Sequence, residues 1–208
     1  MPTGTEDLER LLVYERRHWA EGRSRIAGLD EAGVGPLAGP VVAAAVIWRA
    51  EARVPGIDDS KKLSEAARDR LAPLIREAAL AWAVGQASVE EIFDLNIYQA
   101  GLLAMRRAFD GLSVRPDALL IDARRLPALD LPQESIIKGD QKSLSIAAAS
   151  ILAKTTRDAI MLELDGEFPG YGFARHKGYP TSVHLEALRR LGACAAHRRG
   201  YGPVKAVL

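Results

Sequence analysis

Residues 25–48 read RIAGLDEAGVGPLAGPVVAAAVIW, and the way this stretch divides decides the fold. Arg25 to Asp30 is a short apolar run, predicted to be a strand, and it ends in two adjacent carboxylates, Asp30 and Glu31. Gly33-Val34-Gly35 follows as a bare-backbone turn, and Pro36 and Pro40 confine the next residues to irregular backbone. Val41 to Trp48 is then a continuous apolar run rich in Val and Ala, the pattern of a strand buried on both faces. The link between the two runs is too tight for a helical crossover. They should pair as an antiparallel hairpin, which makes the sheet mixed.

Working outward, Thr5 is placed to cap a first helix with Leu8, Leu11, Leu12 and Trp19 as its apolar stripe, ending at Gly22. Ser64-Glu65 should open a second helix running to about Leu80. Pro73 lies inside it, and because an interior proline costs ~3 kcal/mol, a kink or two shorter pieces is expected. Trp82 to Ser88 alternates as a strand does, and Ser88 with Glu91 has capping-box spacing. Ile97 to Phe109 reads as a helix. DALLID (117–122) and ESIIK (134–138) read as strands, and Ser143 to about Leu164 as a long Ala-rich helix. A last helix should run from Thr181 or Ser182 to Leu191, stopped by Gly192. Strands interleaved with helices indicate an α/β fold with a mixed sheet of about five strands flanked by helices.

A chain of 208 residues with 48% apolar and 26% charged residues suits one soluble domain. The single cysteine, Cys194, cannot form an internal disulfide. Residues 32–48 carry no charge but are too short and too broken by proline and glycine for a membrane helix. The expectation is a cytoplasmic monomer that does not engage membranes. The net charge of +1 conceals an asymmetry: residues 171–208 hold seven Lys and Arg against one acid, Glu186. An acidic centre with a basic C-terminal segment suits a metal-dependent enzyme acting on a polyanion.

Three apolar strands end in acid, at Asp30-Glu31, at Asp122 and, after a glycine, at Asp140. If these strands are neighbours, four carboxylates meet at one sheet edge and repel unless a cation neutralises them. An all-oxygen set suits Mg²⁺ or Mn²⁺ rather than zinc. Gly33-Val34-Gly35 can offer backbone N–H groups to an anion, although a GxG alone is a weak signal. No Gly-Lys-Ser/Thr follows it, so an ATPase has little support. Ser60, Lys61 and Lys62 supply a hydroxyl and two cations in a loop before a helix. His176-Lys177-Gly178-Tyr179 sets an aromatic beside basic groups, suited to sugar or base stacking.

Taken together, DEAGVGPLAGPVVAAAVI, DSKKLS, ASVEEIFDLNIYQA, LLIDA, IIKGDQKSLSIAAASILAKTTRD and FPGYGFARHKGYPT closely resemble ribonuclease HII, the type 2 ribonuclease H, over roughly residues 26–191. The resemblance implies an RNase H-like fold, with residues 1–208 a single catalytic domain and about 171–208 a basic helical extension completing the substrate cleft. It implies hydrolysis of the RNA strand of RNA–DNA hybrids and incision 5′ of ribonucleotides embedded in duplex DNA, with Mn²⁺ or Mg²⁺ as cofactor. The family's four acids fall on Asp30, Glu31, Asp122 and Asp140, and its sugar-stacking tyrosine on Tyr179. Its glycine-arginine-glycine motif, which senses the 2′-OH and a nearby phosphate, falls on Gly33, Val34 and Gly35.

Val34 is the main departure from that pattern, since arginine carries five donors and a permanent charge and valine carries neither. Main-chain recognition survives the change provided Val34 keeps a negative φ. Ala123, Pro180, Gly200 and Tyr201 are lesser departures, the last two standing where the family carries serine and phenylalanine. The competing expectations are a hybrid-binding protein with impaired catalysis and a different nuclease or transposase on the same fold.

Overall fold

The computed structural model describes residues 4–52 and 54–208, with side chains described from Leu8 onward, so the side chain of Thr5, the expected cap, lies outside what is described. Two short helices, α1 (Gly4–Leu11) and α2 (Val13–Ala20), lead into the hairpin of β1 (Ile26–Ala32) and β2 (Val41–Trp48). The chain continues through α3 (Glu65–Ala78), β3 (Ala79–Ala87), α4 (Val89–Leu95), α5 (Ile97–Asp110), β4 (Ala118–Asp122) and β5 (Gln133–Ile136). A single 3-10 turn, Gly139–Gln141, precedes the long α6 (Leu144–Glu167), and α7 (Phe173–His176), α8 (Ser182–Leu191) and α9 (Gly202–Lys205) close the chain.

The sheet has five strands in the order β3-β2-β1-β4-β5. β1 pairs antiparallel with β2 and parallel with β4, and β4 is parallel to β5. The sheet is therefore mixed, as the tight β1–β2 link requires. β2 is buried throughout because both of its faces are covered. Ala44, Val46 and Trp48 meet the α6 and α3 side, while Val41, Ala43, Ala45 and Ile47 meet α5. The helix α6 lies so close to β1 that a Cβ on Gly28 would sit 2.1 Å from the Ser145 carbonyl carbon, so only glycine fits there.

The helix α3 is one continuous helix despite Pro73, where a kink or a break was expected. Ser64 caps it by accepting from the Ala67 N–H. Leu71, Ala72 and Ile75 bury one face against the core on both sides of the proline, so packing holds the helix across the lost hydrogen bond. Ser88 and Glu91 form the expected reciprocal capping box on α4. Among the described residues no helix is long and apolar enough to cross a membrane.

Candidate active site

Parallel pairing of β1 with β4 puts their C-terminal ends side by side, which brings Asp30 and Glu31 next to Asp122. Lys138 adopts a left-handed φ of 56°, and the turn it makes after β5 returns Asp140 to the same edge. Gly139 N–H then donates to Asp122 Oδ1 at 2.7 Å, tying the two strand ends together. The result is a cleft of about 430 Å³ lined by Asp30, Glu31, Asp122, Lys61 and Tyr179, with the backbone of Gly33 to Gly35 as one wall.

Each carboxylate has its own protein partner. Asp30, only 4% exposed, accepts the Glu31 N–H at 2.8 Å. Burial pushes its carboxyl well above the usual range and the Glu31 charge adds to this, against a hydrogen bond from Ser150. Glu31 is also raised by burial, opposed by Arg124, whose Nε donates to Oε1 at 2.9 Å. Asp140, 2% exposed, is raised by burial and opposed by Lys61, whose Nζ donates to it at 2.9 Å. Asp59 joins this edge. Burial pushes it up, but the Lys61 N–H and the Gln141 amide more than offset that and hold it low.

With the carboxylates drawn toward separate partners, no three His, Cys, Asp or Glu side chains among the described residues are grouped to hold a metal ion as they stand. The donor set nonetheless suits a hard dication. Its oxygens are all carboxylate, Glu31 Oε2 is buried with no hydrogen-bond partner, and Asp30 is held against ionisation by burial first and then by the charges of Glu31 and Asp122.

The turn Gly33-Val34-Gly35 keeps its main chain in a form valine accepts. Gly33 takes φ 96°, and Val34 is not among the residues of positive φ. The carbonyls of this loop turn inward onto two buried guanidinium groups. Arg198 donates to Gly33 O at 2.6 Å, Val34 O at 3.1 Å, Pro36 O at 2.9 Å, Gly39 O at 2.9 Å and Pro40 O at 3.2 Å. Arg157 donates to Pro40 O at 3.1 Å and Ala38 O at 3.0 Å. Sequence reading missed both arginines, along with Arg124, Ser150 and the carboxylate of Asp59. Arg198 had been counted as one of the cations of a basic segment that holds nucleic acid, whereas it faces the protein interior.

The other candidates separate. Ser60 lines the cleft and its hydroxyl meets Ser150 Oγ at 2.8 Å. Tyr179 lines the cleft and is 41% exposed. Lys62 pairs with Asp58 at 3.3 Å and is not among the lining residues. His176 and Lys177 correct the expectation of a substrate-facing pair, because both are buried. His176 accepts the Gly178 N–H, faces the Tyr171 carbonyl at 2.8 Å and stacks on His184. Lys177 Nζ donates to Ala174 O and pairs with Glu65. Packing of α7 under the following turn consumes both side chains and leaves Tyr179 as the group that reaches the cleft.

The sequence model of the family described as Ribonuclease HII matches residues 27–202. The chain is similar to a ribonuclease HII of Myxococcus xanthus, 58% identical over 97% of this chain and 69% of that protein. Its fold is similar to the crystal structure of ribonuclease H2 from Pyrococcus horikoshii, with a TM-score of 0.75 at 23% identity over 88% of this chain and 96% of that one. It is also similar to Bst-RNase HIII in complex with Mn²⁺, with a TM-score of 0.64 at 22% identity over 88% of this chain and 68% of that one.

Proposed function

Because this chain belongs to the ribonuclease HII family of metal-dependent nucleases, we propose that it hydrolyses the RNA strand of RNA–DNA hybrids and incises 5′ of ribonucleotides embedded in duplex DNA. The observation that carries this reading is the meeting, in one cleft, of Asp30, Glu31 and Asp122 with the Gly33-Val34-Gly35 turn and Tyr179. Asp140 stands beside them on Lys61.

In this reading Asp30, Glu31, Asp122 and Asp140 hold Mn²⁺ or Mg²⁺. When bound, such an ion lowers the pKa of water and stabilises the departing 3′-oxygen, so that the products carry 3′-OH and 5′-phosphate. The chain's own residues do the positioning. Arg124 fixes one oxygen of Glu31 and leaves the other open. Lys61 sits where it can pass from Asp140 to a backbone phosphate, and Tyr179 offers its face to a sugar. Gly33 to Gly35 read the 2′-OH region, which separates RNA from DNA. The protein acts as a cytoplasmic monomer of one domain, with residues from about 171 onward completing the cleft.

A second reading, hybrid binding with altered ribonucleotide recognition, is favoured by Val34 alone. Cleavage of two duplexes separates the readings, one with a single ribonucleotide in DNA and one with an all-RNA strand. Each is tried with Mg²⁺ and with Mn²⁺, for this protein and for Val34→Arg. Equal cutting of the single-ribonucleotide duplex by both proteins is expected. Cutting only after arginine is restored would instead support the second reading.

A further inference from the structure

We propose that Arg198, which shares the Pro40 carbonyl with Arg157, is the positioning residue that turns Gly33-Val34-Gly35 into an anion-accepting surface and supplies the positive charge that the Val34 side chain lacks. The inference rests on the reading of this cleft as a nucleic-acid site and deepens it.

All three nitrogens of the Arg198 guanidinium donate to loop carbonyls, and the side chain is 1% exposed. In a trans peptide the N–H points opposite its carbonyl. With the Gly33 and Val34 carbonyls turned onto Arg198, the N–H groups of Val34 and Gly35 point away from it, and both residues line the cleft. Neither N–H has an acceptor within the chain among the described residues. The neighbouring donors are used internally, Leu37 N–H on Gly178 O and Gly39 N–H on Ala196 O. Two adjacent outward amides in a loop that begins with a glycine of φ 96° form a concavity of the kind that binds phosphate.

The charge balance points the same way. Among the described residues neither Arg157 nor Arg198 has a carboxylate within ion-pair distance, and the adjacent Asp158 is taken by Arg68 and Lys154. Burial and the Arg198 charge lower Arg157 to about 10, which leaves it protonated at neutral pH. Buried cations satisfied only by uncharged acceptors lack a counter-ion, and an anion in front of the loop provides one. Tyr201 adds to the grip, since its hydroxyl donates to Val34 O at 3.1 Å and accepts from Arg198 at 3.3 Å. Two departures from the family pattern, Val34 and Tyr201, are thus in direct contact.

The test is binding of the chelated protein to single-ribonucleotide duplex and to all-DNA duplex across a salt series, for the unmutated chain and for Arg198→Lys. Lysine keeps the charge and loses the fork. It is expected to weaken single-ribonucleotide binding about tenfold and to narrow the preference over DNA, while Mn²⁺ affinity of the free protein stays within about twofold. Unchanged preference in a folded Arg198→Lys variant overturns the inference. If the unmutated chain prefers neither duplex, the functional reading itself fails instead. Should Arg198→Lys not fold, amide resonances of the unmutated protein decide. Added single-ribonucleotide duplex should move the Val34 and Gly35 N–H signals downfield, and signals that stay put while Tyr179 responds overturn it.

Discussion

The Lys61 ammonium lies 2.9 Å from Asp140 Oδ2, a carboxyl only 3% exposed, while the lysine side chain itself remains 77% exposed. An exposed cation therefore neutralises a buried anion, and a divalent ion taking Asp140 would release that cation toward substrate. Lys61→Met should tighten Mn²⁺ binding to the free protein. The gain is no more than about fivefold, because the lysine end of the pair is exposed and solvent screening holds such a pair to ~1 kcal/mol or less. The same change should weaken duplex binding and reduce the slope of log affinity against log salt by about 0.9. Calorimetry with Mn²⁺ and a salt series with duplex check both, and no change in either would place Lys61 outside the site.

Asp30 is a buried carboxyl facing the charge of Glu31 and Asp122. Asp30→Asn removes this repulsion and keeps the shape. The chelated variant should be more stable at neutral pH by about 1 kcal/mol, a Tm rise of about 2–4 °C. Its cleavage rate should fall by ~100-fold or more, since several kcal/mol of charge stabilisation is lost. Thermal melts in chelator and single-turnover cleavage report the two effects. A variant that is less stable and still active would remove Asp30 from the cation site.

Gly33 and Gly35 look equivalent in sequence and differ in the fold. A Cβ on Gly33 would lie 2.1 Å from Arg157 Nε, at φ 96°. On Gly35 it would meet only the Tyr179 ring, at 3.8 Å. Gly33→Ala should therefore destabilise by about 3 kcal/mol or more, and Gly35→Ala by under about 1 kcal/mol. Denaturant midpoints of the two variants compare them directly, and equal losses would mean that the arginine grip does not constrain the loop.

His184 and His197 share one hydrogen bond at 3.1 Å between their Nε2 atoms. His184 Nδ1 donates to the Tyr179 carbonyl, so its Nε2 must accept and His197 Nε2 must donate. His197 Nδ1 accepts from Cys194 N–H. Both rings are neutral in this arrangement. Burial above all lowers His197 from 6.5 to about 4, and a proton on His184 would oppose its charging further. The unfolded chain then binds more protons than the folded one between those values, so stability is full above the higher one and falls as pH drops toward the lower. The loss should approach ~3 kcal/mol, at 1.36 kcal/mol per pKa unit. Urea midpoints should drop between pH 7.5 and about 4.5, and His197→Gln should flatten that drop. An unchanged slope in the variant would assign acid sensitivity elsewhere.

Local pattern made much of the framework legible. The bounds of β2 follow from a continuous apolar run and those of α5, to within one residue, from its apolar pattern, and the β1–β2 pairing follows from the shortness of the link. The recurrence of acid after an apolar strand anticipated that Asp30, Glu31, Asp122 and Asp140 would share an edge. Pro73 misled because helix propensity is weaker than the burial of Leu71 and Ile75 around it. His176 and Lys177 misled because side-chain direction in a short turn depends on what packs over it.

By itself the sequence determined the strands, their acidic ends and the glycine turn between the first two, since each depends on residues close together in the chain. Only the tertiary structure decided what the cations do. Arg198 reaches carbonyls 165 positions away at Gly33, Arg157 reaches one 119 away at Ala38, and Lys61 meets an acid 79 away at Asp140. A long charged side chain looks the same in sequence whether it is solvated, paired or buried. Which of these it becomes is set by the backbone brought against it, and that backbone comes from elsewhere in the chain.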